Sequence, residues 1–268
     1  MIQLIVSDLD GTLLNSQRQL PSRFSALLRE LYCRDITFAI ASGRSRIAIE
    51  SLFGDKMQEL YLLCDNGACI LQPNRAPVIH ALSQEMAQHV LDLCRRLPHT
   101  TPMLCGYDHA YYPDSISEEV SNEIHHYYQN GVALPYEELY HLPEPILKIA
   151  LCDMKTLEIQ TYPIVRQTFR DALEIVISGD YWIDLMQKDV TKGSAVAGLQ
   201  ESLGWTAAET MVFGDCDNDI PMFSCAAYSY AMHNASLRVQ QAANFVAPSN
   251  DEDGVIQVIC QQLGLRLS

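Results

Sequence analysis

The chain is short of positive charge. Its 18 lysines and arginines face 33 aspartates and glutamates, a formal net charge of −15 over 268 residues. Phosphate backbones need a basic face, so this balance argues against a nucleic-acid partner, and it disfavours docking on anionic lipid. Long apolar runs are missing too. No stretch approaches the roughly 18 residues that span a bilayer, so no membrane contact is expected. Met1 leads into a short apolar segment without a basic start, and no secretory signal is read there. The nine cysteines are odd in number, scattered and without a C-x-x-C pair. That disfavours both a disulfide framework and a zinc ribbon, and the thiols read as reduced in a cytoplasmic protein.

What is present is an ordinary globular composition, 48% hydrophobic and 19% charged, with length enough for a large core. "QLIVSD", "ITFAIA" (36–41) and "LYLLC" read as continuously apolar strands. Between them, Phe24, Leu27, Leu28 and Leu31 recur at helical spacing, and "SRIAIESLF" reads as a second helix. Apolar strands alternating with helices imply a parallel sheet covered on both faces. "ACIL" and "PVIH" form a hairpin around the turn Gln72-Pro73-Asn74-Arg75.

The middle third reads differently. A helix over 82–97, strand-like "MLCGY" and "HAYY", a polar helix from Ser117 to about Gln129, the strand "ILKIALC", a helix over 156–172 and the hairpin "LEIVIS"/"YWIDLM" imply an α+β insert with an open antiparallel sheet. From about Lys188 the α/β alternation resumes, with helices at 193–203, 219–226, 236–243 and 253–263 and the strands "TMVFGD" and "YSYAM". The expected fold is a Rossmann-like α/β core over 1–81 and 187–268, interrupted by an α+β cap domain over 82–186 that selects substrate.

In open α/β sheets, ligands sit outside the carboxyl ends of the strands. The first strand delivers Asp8 and Asp10, and the second Ser42, Gly43 and Arg44. "TMVFGD" delivers Asp215, with Asp217, Asn218 and Asp219 behind it, and "VTKGSAV" brings Lys192. Carboxylates crowded this way repel: two unit charges about 4 Å apart cost roughly 4 kcal/mol at an effective dielectric near 20. A hard divalent cation relieves the repulsion, and all-oxygen ligands with room for water suit Mg²⁺. Metal and lysine together convert an acidic pocket into an anion site. Asp8 and Asp10, two apart in an extended segment, are expected on one side.

This constellation resembles the haloacid dehalogenase-like phosphatases across essentially the whole chain. Their four motifs correspond to "DLDGT", Ser42 in "ASGR", Lys192 in "TKG" and "GDCDND". The insert lies where the Cof-like sugar-phosphate phosphatases carry an α/β cap, and "DNGA", "WIDL" and "AMHNA" are similar to tokens of that subfamily. His233 departs from it, standing where Gly is common. The resemblance implies that Asp8 is the nucleophile of a phosphoaspartate mechanism and Asp10 the acid and base. It implies a Mg²⁺ held by Asp8, the Asp10 carbonyl and Asp215. Ser42, Gly43, Lys192 and Asn218 hold the phosphate; Thr12, Arg44, Asn66 and Asp219 support the site or touch substrate. The implied partner is a small phosphorylated metabolite, a sugar phosphate by the subfamily resemblance, and no oligomeric state is implied.

Two other readings stay open on the residues: a phosphosugar mutase that transfers the phosphoryl group, and a receiver-like signalling protein, against which Asp10 and the insert speak. Adjacent His125 and His126 diverge on a helix and read, with His109, as surface. "KGS" lacks the upstream glycine of a nucleotide-binding loop. Tyr107, Lys148 and Trp182 read as core or surface side chains.

Overall fold

The computed structural model describes residues 1–54, 60–128 and 131–267. In chain order it opens with β1 (Leu4–Ser7), α1 (Phe24–Tyr32), β2 (Thr37–Ala41), α2 (Arg46–Phe53), β3 (Tyr61–Cys64), β4 (Cys69–Leu71) and β5 (Val78–Ile79). Then come α3 (Gln84–Cys94), β6 (Thr101–Gly106), β7 (Ala110–Pro113), α4 (Glu118–Tyr127), β8 (Gly131–Leu134), β9 (Ile146–Cys152), α5 (Tyr162–Phe169), β10 (Leu173–Gly179) and β11 (Trp182–Gln187). The chain closes with α6 (Lys192–Leu203), β12 (Thr210–Gly214), α7 (Ile220–Phe223), β13 (Tyr228–Met232), α8 (Leu237–Ala242), β14 (Phe245–Ala247) and α9 (Gly254–Leu263).

Two compact units result: Met1–Ser42, Asp55–Pro77 and Thr191–Ser268 form the first, Gly43–Gly54 and Val78–Val190 the second. In the first, strands lie in the order β14-β13-β12-β1-β2-β3-β4, parallel except for the β3–β4 pair. The order reverses between β1 and β12, which makes their carboxyl ends the natural binding crevice. Leu4, Val6, Ala39, Leu63 and Val212 pack on α6 and α7 residues such as Val196, Leu199 and Phe223. This is the Rossmann-like fold the alternation implied.

The second unit carries the sheet β10-β11-β9-β6-β7-β8. Its pairs are antiparallel except β7–β8, which is parallel. The reason is α4, which carries the chain from β7 back to the same end of the sheet before β8 begins; a parallel pair needs such a crossover. β8 and β14 have no counterpart in the sequence reading. α7 is shorter than the helix read over 219–226: Asp217–Asp219 wind as a 3₁₀ turn, so the helix starts at Ile220, and it ends at Phe223. Gln129, where the sequence reading ends α4, lies outside the described residues. Among the described residues no helix is long and apolar enough to cross a membrane.

Candidate active site

The acids meet because two neighbouring strands stop together. β1 ends at Ser7, and Asp8 follows, its amide donating to the Phe213 carbonyl of β12 at 3.0 Å. One residue beyond β12 stands Asp215. Carboxylate oxygens of Asp8, Asp215 and Asp219 all lie within 4.8 Å of one another. Lys192 enters from the first position of α6, which Thr191 caps by accepting from the Ser194 amide at 3.0 Å. Its Nζ donates to Asp8 Oδ1 and to Asp219 Oδ1, both at 2.6 Å, and the side chain is 2% exposed. Asp219 Oδ2 accepts from the amides of Asp215 and Cys216 at 2.9 and 3.0 Å. Asp219 therefore ties the lysine to the turn that carries Asp215.

One lysine does not balance three carboxylates. Burial pushes the Asp8 carboxyl well above the usual carboxylate range; Lys192 opposes this, while Asp219 and Asp215 add to it. Burial and then the Asp219 charge raise Asp215 to about 6, although the Thr12 hydroxyl, 2.8 Å from Oδ1, favours its ionised form. For Lys192 burial disfavours the charge, yet the flanking carboxylates outweigh it and hold the ammonium above its ordinary value. The site is thus short of positive charge and lined by hard oxygen donors, which fits a divalent cation.

Gly11 follows at φ +74°, and a Cβ there would meet the Asp215 carboxylate. Asn234 Nδ2 donates to the Gly11 carbonyl at 2.8 Å, and Asn250 Nδ2 to the Leu14 carbonyl at 2.9 Å. These two braces of the turn were missed as side chains; the token "AMHNA" contained one of them. Beyond β1 the chain turns before Asp10, so the strand alternation that would align it with Asp8 has ended. Asp8 is buried, whereas Asp10 is exposed and its carboxylate is outside the group of three.

A second line of contacts joins the remaining residues. Ser42 is buried at the end of β2; its amide donates to the Leu63 carbonyl and its carbonyl accepts from the Asn66 amide at 3.0 Å. Asp65 and Asn66 sit at φ 49° and 56°, left-handed positions that Asp and Asn tolerate better than most residues. Gly67, at φ +102°, lets this turn lie against the Thr191 carbonyl just before Lys192. Asn218 Nδ2 donates to Asn66 Oδ1 at 3.0 Å, while Asn218 Oδ1 is buried without a hydrogen-bond partner among the described residues. Asn218 is thus braced by Asn66, with one further N–H for a ligand. Gly43 and Arg44 continue the chain from Ser42 and are half-buried. Asp217 is exposed and pairs with Arg238 at 3.0 Å, and His233 and His125 are exposed; the His126 side chain lies outside the description.

A parallel sheet that gathers acids and a buried lysine at the carboxyl ends of its strands is an open α/β frame with its ligand crevice at those ends. The chain belongs to the haloacid dehalogenase-like hydrolase family, whose sequence model matches residues 5–259. It is 29% identical over 260 residues to the 5-amino-6-(5-phospho-D-ribitylamino)uracil phosphatase YbjI of Escherichia coli (strain K12), covering 96% of this chain and 95% of that one. The HMP-PP phosphatase of Enterobacter sp. (strain 638) is 27% identical, over 88% of this chain and 85% of its own. The solved structure of SMU.1108c from Streptococcus mutans UA159 superposes with a TM-score of 0.90 at 31% identity, covering 99% of this chain and 100% of that one. These relatives place the chain among the phosphatases of the superfamily.

Proposed function

We propose that the protein is a Mg²⁺-dependent, cytoplasmic phosphatase of small phosphorylated metabolites, sugar phosphates in particular, that works through a phosphoaspartate on Asp8. The observation that carries the reading is the buried cluster in which Lys192 joins Asp8 to Asp219 beside Asp215. Asp8, the Asp10 carbonyl and Asp215 would hold the cation, which when bound neutralises charge on the acids and on the phosphoryl oxygens. Asp8 Oδ attacks phosphorus; a P–O bond forms as the ester P–O bond breaks, and Asp10 gives its proton to the departing alkoxide. Asp10 then takes a proton from water as that water attacks the phosphoaspartate, releasing orthophosphate and restoring Asp8. Splitting one slow hydrolysis into two displacements lowers the barrier to each. Ser42, Gly43, Lys192 and Asn218 position the phosphoryl oxygens, with Thr12, Arg44, Asn66 and Asp219 behind them. The domain division read from the sequence assigns leaving-group selection to the cap.

The substrates in the names of two relatives differ: one is 5-amino-6-(5-phospho-D-ribitylamino)uracil, the other HMP-PP. Both support a phosphorylated small molecule and leave the group it carries to experiment. Phosphate release from a panel of sugar phosphates and phosphorylated nucleoside precursors, with Mg²⁺ and with EDTA, tests the reading; it fails if no member is hydrolysed. Asp8→Asn is expected to lower turnover by about 10⁶-fold, the scale of removing a nucleophile in other covalent hydrolases. Asp10→Asn is expected to cost about 10²–10⁴-fold, the usual range for general acid–base groups. Borohydride trapping of the acyl phosphate in wild type but not in Asp8→Asn checks the intermediate.

A further inference from the structure

Side chains from the last segments of the chain hold the loop that follows Asp8. Asn234 Nδ2 donates to the Gly11 carbonyl at 2.8 Å, and Asn250 Nδ2 to the Leu14 carbonyl at 2.9 Å. Asp251 accepts from the Ser16 amide and hydroxyl at 2.8 and 2.7 Å. The holders are themselves linked, because the Asn250 amide donates to Asn234 Oδ1 at 3.2 Å. The 3₁₀ turn Asn250–Glu252 is closed in turn by the Ser249 hydroxyl, which donates to Glu252 Oε2 at 2.7 Å. Asn250 is buried, and all of these residues belong to the first unit.

The loop they hold has one weak point. Gly11 stands at φ +74°, and glycine moves between backbone wells more readily than other residues. Asp10 immediately precedes it and is exposed, so burial does little to keep it in place. Its backbone is paired: Asp10 and Leu14 form an isolated bridge, and the Leu14 amide donates to the Leu9 carbonyl at 2.8 Å. Asn234 holds the residue after Asp10, and Asn250 holds the residue bridged to it. The two asparagines therefore secure Asp10 from both arms of the loop. Precision of this kind matters to a reaction, since a misplacement of about 1 Å can cost about 10²-fold in rate.

We propose that Asn234 and Asn250 are positioning residues that hold Asp10 where it passes protons to the leaving group and from water. The proposal rests on the phosphatase reading above and on the part of Asp10 in it. Leaving groups separate this role from a structural one. p-Nitrophenolate departs without a proton, whereas an alkoxide needs one, so in the first step only alkyl esters feel a displaced acid. The second step, hydrolysis of the phosphoaspartate, is common to every ester and uses Asp10 as base.

Wild type is assayed first, at saturating Mg²⁺, on p-nitrophenyl phosphate and on the panel of sugar phosphates; no turnover on any of them overturns the phosphatase reading and the proposal together. Given turnover, Asn234→Ala should lower kcat/KM on the best alkyl ester about tenfold, and on p-nitrophenyl phosphate less than about twofold. On the aryl ester kcat and KM should fall together, with a burst of p-nitrophenolate as phosphoaspartate accumulates. Asn250→Ala should show the same split. The two losses should be less than additive in the double variant, because both residues hold one loop. Asp10→Asn is the reference: if it shows no such split, the proposal falls and the phosphatase reading stands. Equal losses on both esters without a burst assign the asparagines to folding and overturn the proposal, as does wild-type activity in both variants. Should the alanine variants fail to fold, Asn234→Asp decides, since it keeps the acceptor for the Asn250 amide and loses the donor to Gly11. The split then supports the role, and equal or absent losses overturn it.

Discussion

At the scale of single residues, Lys192 carries the most. It is buried among three carboxylates, and two of them accept its hydrogen bonds. Lys192→Met keeps the length of the side chain and removes the charge, leaving Asp8 and Asp219 facing each other uncompensated. Breaking a buried pair in this way costs about 3–5 kcal/mol, so the variant should unfold at markedly lower denaturant in the absence of metal. Urea titration with EDTA present measures this; an unchanged midpoint would show that the carboxylates had accommodated the loss by taking up protons. The positions of Asp8, Ser42, Lys192 and Asp215 were legible because each stands just past the end of an apolar strand or at the start of a helix, a boundary that patterning marks well. Asp219 was legible only as a supporting residue. Its double task depends on the 3₁₀ turn Asp217–Asp219, a local winding that apolar periodicity does not encode.

Among the elements, the β6–β7 hairpin shows how one carboxylate fixes a turn. Glu144 accepts from the amides of Asp108 and His109 at 2.8 and 3.1 Å and from the Tyr111 hydroxyl at 2.8 Å, with His109 Nδ1 at 3.3 Å. Burial alone would raise its pKa, but the Asp108 amide, the Tyr111 hydroxyl and His109 outweigh burial and hold it below the ordinary glutamate value of 4.5. A carboxyl lowered on folding stabilises the fold above its unfolded pKa, and that contribution is lost as pH falls through the folded value. Glu144→Gln should therefore cost about 2 kcal/mol near neutrality, the scale of hydrogen bonds to a charged acceptor. The gap from wild type should close below about pH 4.5. Unfolding of both proteins between pH 7 and pH 3 checks this, and a gap independent of pH would assign the loss to packing instead. Most elements were readable from spacing: α1, β9 and the β10–β11 hairpin follow their apolar patterns closely. The exceptions share a cause. β8 (Gly131–Leu134) and β14 (Phe245–Ala247) are short and partly exposed, so partners in space define them and sequence contrast does not. Likewise α2 is legible as a helix, but its grouping with residues 78–190 is a tertiary fact that a 3.6 period does not carry.

For the whole molecule the deciding quantity is charge. A net charge of −15 destabilises the compact state through self-repulsion, so any salt should stabilise the protein somewhat by screening. The cluster at the ends of β1 and β12 predicts something more specific. A cation that binds the folded acids and not the unfolded chain stabilises by RT ln(1 + [L]/Kd), about 2.7 kcal/mol at a hundredfold excess over Kd. In a chain of this length that corresponds to roughly 5–10 °C in the melting temperature of the transition that includes the site. NaCl at matched ionic strength supplies the screening and none of the coordination, so the difference between the two salts isolates the site. Asp215→Asn should abolish that difference while keeping the response to NaCl, because the amide retains the shape of the carboxylate and loses its charge. Should MgCl₂ and matched NaCl shift wild type equally, the acids hold no cation of this kind. The repulsion among Asp8, Asp215 and Asp219 would then be relieved by Lys192 and by protons alone.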